Sequence, residues 1–463
     1  MNVLVTDPNE HRIHIEHVLL CFALFTIPLE NLLSLGGGEM VYQEGITFDR
    51  VFWYLLLAVC IWKSIWLKDA TLVLLTFGRS VPLLTLAFIL CMAVSALVIR
   101  SPTSAVGTAI MTYMIHFSRY LLLVYVCRDR MILRLCIIAF VTNIIFHVGG
   151  GFYEIVSGKP ALGEMIKPSG TWSNLMTLKG QFRIQGLTEN PNYLCTDLIL
   201  QLGLLLYLVF TVRLLKWRIA LAVLLLLSVV LIFATATRAA SLIAIFVLMI
   251  FLIIAPVRHK RFIFTTLAII TFICLIILSF LKPELMFLDR FINKDKEGGA
   301  VLANEIADGG RVNMLRISLK MGIEHPFLGV GIDQYGSQLR YFRNLDSSYL
   351  PQGNIRPHNV YAGTFAEMGL IGLGVLFLLH FAVLVQIITC FLSAPDQETK
   401  LLAAGFLSSF LGFIMCCNFY PTTVRKYCWI VMAFMGALAE VLRKEQEHRL
   451  QQTHRVGKPI PAG

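Results

Sequence analysis

Apolar residues run along this chain in blocks of about 20, and a helix of that length crosses the hydrocarbon core of a bilayer. The blocks predict helices over residues 14–35, 48–67, 79–99, 105–127, 131–157, 191–212, 218–236, 238–256, 261–281, 358–392, 400–420 and 424–442. The expected fold is an all-α polytopic membrane protein of about twelve transmembrane helices. Two long segments interrupt the pattern, 158–190 and 282–357. Loops of that length inside a compact protein usually carry function. The second one is partly helical by its own pattern: after Asp308-Gly309-Gly310, residues Val312, Leu315, Leu319 and Ile323 recur at helical spacing, with Arg316 and Lys320 off that stripe. Pro326 ends the run, and Gly329-Val330-Gly331 reads as a turn. An amphipathic helix lying on a membrane surface fits this pattern. The expected organisation is nine spans over 1–281, a large loop over 282–357, three spans over 358–442, and a polar tail over 443–463.

Lys and Arg in the short connectors set the orientation. One set of connectors holds Lys63, Lys68 and Arg79, then Arg128, Arg130 and Arg134, then Arg213, Lys216 and Arg218, then Arg258, Lys260 and Arg261. The tail adds Arg443, Lys444, Arg449, Arg455 and Lys458, whereas the connector 36–47 has no Lys or Arg and carries Glu39 and Glu44. The basic set, and with it both termini, is expected in the cytoplasm. The two long segments are then external.

Composition agrees with this picture and removes some alternatives. Hydrophobic residues make up 57% and charged residues 14% of the chain, well below the roughly 25% charged residues of a soluble domain. The net charge of +11 would suggest nucleic acid in a soluble protein. Here the basic residues sit in membrane connectors and one long loop without an RNA-binding motif, so no nucleic-acid partner is expected. The 11 cysteines fall in or beside the apolar blocks rather than in long loops, which argues for small core residues over a disulfide framework. The polar stretch Met1 to His17 is followed by no small-residue cleavage site, and the first helix is expected to be retained.

Candidate chemistry gathers at the external helix ends. Asn190 and Pro191 read as a helix cap followed by a proline at the first helical position. Arg183 upstream and Asn192 just beyond add a possible anion site at that helix start, although a snorkelling role would also account for Arg183. Thr235-Ala236-Thr237-Arg238 forms a tight external hairpin, and Arg238, whether an interface marker or an anion contact, sits beside two hydroxyls. Arg356-Pro357-His358-Asn359 opens the tenth span, where the positive helix end favours a neutral imidazole able to accept a proton. Glu367 lies further along that span among apolar neighbours, and Arg311 stands at the start of the loop helix. Asp295-Lys296-Glu297 has a D-x-E spacing but is flanked by Lys294 and is discounted as a metal site.

Together Arg183, Gly186, Asn190-Pro191-Asn192, Thr237-Arg238-Ala239, Arg311 through His325-Pro326-Phe327-Leu328-Gly329-Val330-Gly331, Pro357-His358-Asn359 and Glu367-Met368-Gly369-Leu370-Ile371-Gly372 resemble the O-antigen ligase and polymerase superfamily. The resemblance spans roughly residues 180–375. It implies a GT-C-like membrane glycosyltransferase of the bacterial inner membrane with a periplasmic active site. The donor would be a glycan on undecaprenyl diphosphate, and the acceptor a lipid A-core sugar for a ligase or another glycan for a polymerase. The reaction would invert the anomeric carbon without metal or cofactor. The residue roles then implied are charge stabilisation of the departing diphosphate by Arg183 and Arg238 and proton acceptance by His358. Arg311, Arg356, Asn190, Asn192, Asn359 and Glu367 are expected to contact substrate. The motif set reads most fully as a ligase, with polymerase the alternative and a protein O-glycosylating transferase a third member reading. A lipid-linked glycan flippase would instead distribute polar groups toward the midplane of several spans. Arg119 is the exception to clustering at one face; it lies within reach of the cytoplasmic surface, where snorkelling or pairing would account for it.

Overall fold

The apolar blocks fold as helices packed side by side. The computed structural model describes residues 13–29, 34–35, 46–66, 79–99, 103–159, 183–188, 190–257, 312–342, 357–420 and 425–456, with single positions elsewhere. In chain order the helices are α1 (Ile15–Phe25), α2 (Phe48–Trp66), α3 (Ser80–Ile99), α4 (Thr103–Val126), α5 (Arg130–Thr142), α6 (Ile144–Ser157), α7 (Pro191–Thr211), α8 (Leu215–Ala234) and α9 (Arg238–Ile254). They continue with α10 (312–324), α11 (Tyr335–Phe342), α12 (Val360–Leu392), α13 (Gln397–Cys416) and α14 (Lys426–Val456). A two-residue antiparallel pairing of Ser34–Leu35 with Ile46–Thr47 precedes α2. Seven described segments are long and apolar enough to cross a membrane, and the protein is an all-α polytopic membrane protein. The ninth expected span, 261–281, lies almost wholly outside the described residues, as do Arg311, Arg356, Asp295 and Glu297.

Three expected spans are interrupted. The first stops at Phe25: Thr26 turns its hydroxyl back to the Phe22 carbonyl at 2.8 Å, and Pro28 cannot continue the ladder. The fifth divides at Asn143, whose side-chain amide is buried and donates to the Leu24 carbonyl at 2.9 Å, tying α5 and α6 to the end of α1. The tenth is broken at Gly369, which has φ +62 and ψ −162. Tyr361 stacks on Phe377 and its hydroxyl lies 3.4 Å from His380 Nδ1. A straight helix would hold positions 361 and 380 roughly 28 Å apart, so the arms 360–368 and 370–392 fold back on one another.

Small residues set the closest helix contact. A Cβ added to Gly203 of α7 would lie 2.2 Å from the Gly405 carbonyl oxygen of α13, and the Gly203 amide donates to Ser409 Oγ at 3.1 Å. Gly412 likewise leaves room for Val247 and Ile199. Without a hydrophobic drive between helices in lipid, such close approach of backbones supplies the packing. At the end read as cytoplasmic, the basic connector residues pair with acids on α13 and α14. Arg130 meets Asp396 at 2.6 Å and also Glu445, Arg134 meets Glu398 at 2.9 Å, and Arg79 meets Glu440. Burial works to raise the Asp396 carboxyl, but the Thr399 amide and Arg130 hold it below its ordinary range.

The break at Gly369 is filled by a segment from far upstream in the chain. The Val330 and Gly331 amides donate to the Ala366 and Glu367 carbonyls at 2.8 and 3.1 Å. The Leu370 amide donates to the Pro326 carbonyl at 2.7 Å. Ser95 of α3 lies 2.8 Å from the Leu328 carbonyl and 3.0 Å from that of Glu367. A Cβ on Gly369 would meet Phe327 backbone at 2.4 Å, and one on Gly329 (φ +68) would meet the Glu367 carbonyl carbon at 2.3 Å. Behind this contact Met321, Val330, Tyr335, Leu339, Phe342 and Ala366 form a small core that fastens α10 and α11 to α12. The stripe of α10 expected on the membrane, Val312, Leu315, Leu319 and Ile323, points away from the protein.

Gly369→Ala combines a left-handed backbone position with overpacking, and the two together should destabilise the protein by about 3 kcal/mol or more. Gly374→Ala, where an added Cβ meets nothing within 4 Å, should leave stability unchanged. Thermal unfolding of the detergent-solubilised protein compares the two; equal midpoints for Gly369→Ala and wild type would mean that the backbone pairing is dispensable.

Candidate functional site

The start of α7 is built as the cap residues require. Asn190 accepts from the Asn192 amide at 2.9 Å, and Pro191 occupies a position that needs no donor. Upstream, Gly186 turns the chain with φ +57. The Thr188 hydroxyl sits 2.7 Å from the Gln185 carbonyl and 2.9 Å from that of Asn190, closing the turn. Arg183 is thereby aimed across the α8–α9 hairpin. Its Nε donates to the Thr235 carbonyl at 3.1 Å and its Nη2 to Thr237 Oγ1 at 2.9 Å. Asn192 Oδ1 lies at the limit of a hydrogen bond, 3.5 Å from the same Nη2. The guanidinium straddles Ala236, an alanine held at φ +53, a conformation that costs roughly 1–3 kcal/mol and persists where surrounding structure imposes it. Two sequence candidates 54 residues apart are thus one cluster. Arg238 follows as the first residue of α9, half-buried, and makes no hydrogen bond or ion pair with the described residues.

His358 is fixed by its neighbours rather than by a long loop. Asn359 caps α12 by accepting from the Ala362 amide at 2.9 Å, and its own amide donates to the Asn418 carbonyl at 3.3 Å. The Val360 amide donates to the Cys417 carbonyl at 2.8 Å. Pro357 packs on the first turn, where a Cβ on Gly363 would meet its ring at 2.5 Å. His358 therefore sits at the end of α13. Helices α7 and α13 run antiparallel, with Tyr207 bonded to Glu398 and Gly203 against Gly405. Moving outward from that crossing by the same number of residues reaches Asn192 on α7 and Cys416 on α13. The Arg183–Asn192–Thr237–Arg238 cluster and His358 share one layer, at the end read as external.

Other expected site residues occupy different places. Glu367 lies beside the Gly369 break and its carboxylate accepts from the Tyr335 amide at 3.2 Å, so it holds the start of α11. Burial pushes the Tyr335 phenol up; the Ser318 hydroxyl opposes this and the charge of Glu367 adds to it. Arg316 is exposed on α10, and Lys320 pairs along the helix with Glu324 at 3.8 Å.

Two features of this end escaped the sequence reading. Arg425, which hydropathy assigned to the edge of the last span, forms an ion pair with the fully buried Asp197 of α7 and lies over the Tyr193 ring at 4.6 Å. Glu154 of α6, also fully buried, accepts from the amides of Ala161, Gln185 and Gly186. A carboxylate inside an apolar span is the signal that could have found Glu154. Among the described residues no group of three or more His, Cys, Asp or Glu side chains gathers as a metal site would require.

No curated protein matches the chain. Residues 221–377 match the model of a family described as O-Antigen ligase. That stretch begins in α8 and takes in Arg238, α10, the pairing around Gly369 and His358, while Arg183 and Asn192 lie before it. The match covers about a third of the chain and, with the helical membrane fold, supports its resemblance to the O-antigen ligase and polymerase superfamily.

Proposed function

We propose that this protein is an O-antigen ligase-type glycosyltransferase, moving a glycan from undecaprenyl diphosphate to a lipid A-core hydroxyl at the periplasmic face of the bacterial inner membrane. The observation that carries this reading is an arginine at a helix start that has no hydrogen-bond or ion-pair partner among the described residues. Arg238 stands at the first position of α9, where a cation opposes the helix dipole. Its charge and the helix-end amides add to one concentrated positive region, and Arg183 lies against the same hairpin. Such a region suits a diphosphate, whose negative charge grows as the glycosidic bond breaks.

The chemistry follows as a single displacement. The acceptor hydroxyl oxygen forms a bond to the anomeric carbon on the face opposite the diphosphate. The bond between that carbon and the diphosphate oxygen breaks, and its electron pair leaves with the diphosphate, which Arg238 and Arg183 receive. The acceptor proton passes to the His358 imidazole. Inversion at the anomeric carbon is the stereochemical result. Diphosphate is a sufficiently good leaving group that no general acid is assigned. Asn192 steadies Arg183, Asn190 and Asn359 set the two helix starts, and Arg311 and Arg356 are proposed as further contacts to donor or acceptor. Polymerisation uses the same bond changes with a lipid-linked glycan as acceptor.

His358→Ala should lower transfer by roughly 10²–10⁴-fold with normal membrane insertion, as expected for loss of a general base. Transfer near the wild-type rate would remove His358 from the mechanism. Arg238→Ala should cost roughly 10²–10³-fold, and Lys at 183 or 238 should restore only part of the activity because a bidentate phosphate contact is lost. Full recovery with Lys would reduce either arginine to a simple positive charge. A deletion strain complemented with wild type or His358→Ala reports the physiological reaction on a polysaccharide gel. Loss of lipid A-linked ladder with polymer retained on undecaprenyl diphosphate supports the ligase reading; collapse to single repeat units on the acceptor would replace it with polymerase.

A further inference from the structure

We infer that Glu154, buried in the protein interior at the end of α6, is the positioning residue for Arg183. The inference rests on the proposed role of Arg183 and extends it one residue further into the protein. Glu154 is 0% exposed. Its Oε2 accepts from the Gln185 amide at 2.8 Å and the Gly186 amide at 2.9 Å, and its Oε1 accepts from the Ala161 amide at 2.9 Å. One carboxylate thus clamps both the beginning and the end of the external segment between α6 and α7.

The clamp acts close to Arg183. Gln185 and Gly186 are two and three residues beyond it, and Gly186 is the left-handed residue of the turn. The surface of α6 is shaped to receive that turn. A Cβ on Gly150, one helical turn before Glu154, would lie 3.0 Å from Leu187, and one on Gly186 would lie 3.3 Å from the His147 carbonyl. His147 in turn lies 2.9 Å from the Tyr427 hydroxyl at the start of α14. From Glu154 the constraint runs through the bonded turn at 185–188 to the Asn190 cap. Arg183 at one end of this turn and Asn192 at the other then meet over Thr237. Three backbone donors demand an acceptor with two oxygens, which a carboxylate supplies and a carboxamide does not. A glutamine would keep the shape and turn its NH2 toward one of the donor sets.

The test measures kcat and KM for Glu154→Gln, Arg183→Lys and the double variant, using purified protein in lipid vesicles with a polyprenyl-diphosphate-linked oligosaccharide as donor. Glu154→Gln should lower kcat by roughly ten- to a hundredfold, the cost of a misplaced catalytic group, with KM nearly unchanged. The double variant should be no slower than the slower single variant, since both changes remove one function. If Arg183→Lys is impaired and the double variant shows the product of the two losses, Glu154 acts independently of Arg183 and the inference fails. It fails also if Glu154→Gln is silent or changes only KM. If Arg183→Lys keeps the wild-type rate, the assignment of Arg183 itself falls and the positioning role goes with it. Should Glu154→Gln insert poorly, Glu154→Asp keeps the charge with a shorter reach and should show the same non-additive pattern with Arg183→Lys.

Discussion

The backbone pairing at Gly369 is the constraint on which the half of this protein read as external depends. Breaking a helix inside a membrane protein releases amides and carbonyls that hydrocarbon cannot satisfy. Here the chain supplies partners from residues 326–331: their carbonyls accept from the second arm of α12, and their amides donate to the first. Side-chain chemistry has little part in this pairing. It needs glycine at 329 and 369, because each backbone passes where the other's Cβ would be. Two consequences follow. Residues 326–331 are fastened to a membrane helix by main-chain bonds. The first arm of α12 also folds back, so that Val360 bonds to Cys417 and His358 comes to the end of α13 instead of standing at the tip of a long straight helix.

How much of this was legible in the sequence depended on the range of the interaction. Continuous apolar blocks such as α3, α7 and α13 follow from hydropathy, and the cap at Asn190 with Pro191 follows from local chemistry. The break at Gly369 does not, because hydropathy is blind to backbone dihedral angles, and this glycine sits in a stretch apolar enough to read as unbroken. The motifs His325 to Gly331 and Glu367 to Gly372 were visible separately. That they are the two sides of one pairing is a tertiary fact. Glu367 shows the same limit: among apolar neighbours it reads equally as a substrate contact or a packing lock, and only the fold shows that its carboxylate meets the Tyr335 amide.

At the site, the sequence supplied residue types and the fold supplied their company. Arg183 and Arg238 were separate candidates at two helix ends, and the α8–α9 hairpin joins them through Thr235 and Thr237. Arg425 and Lys426 were hidden by a span boundary drawn at 424, two residues before the helix begins at Lys426. Their presence at the end read as external does not offset the positive-inside pattern. Arg425 is neutralised by Asp197, and Lys426 donates to the Ile27 carbonyl at 3.2 Å. The charge of Arg425 is met by a buried carboxylate, and Lys426 is tied to the end of the first helix.

That distinction separates the cations of this end by what holds them. Arg425 is paired with a buried carboxylate, and removing either partner of such a pair leaves an uncompensated charge costing about 3–5 kcal/mol. Its place is therefore set by folding. Arg183 donates to neutral oxygens of the hairpin, which orient the guanidinium. Arg238 has neither kind of partner among the described residues and sits at a helix start, where its charge is unfavourable by roughly 0.3–1 kcal/mol. An anion arriving at this hairpin reverses the sign of that term and gains from the oriented Arg183 as well. This hairpin therefore suits the proposed diphosphate, whose growing charge would meet an arginine already oriented by the Thr235 carbonyl and the Thr237 hydroxyl.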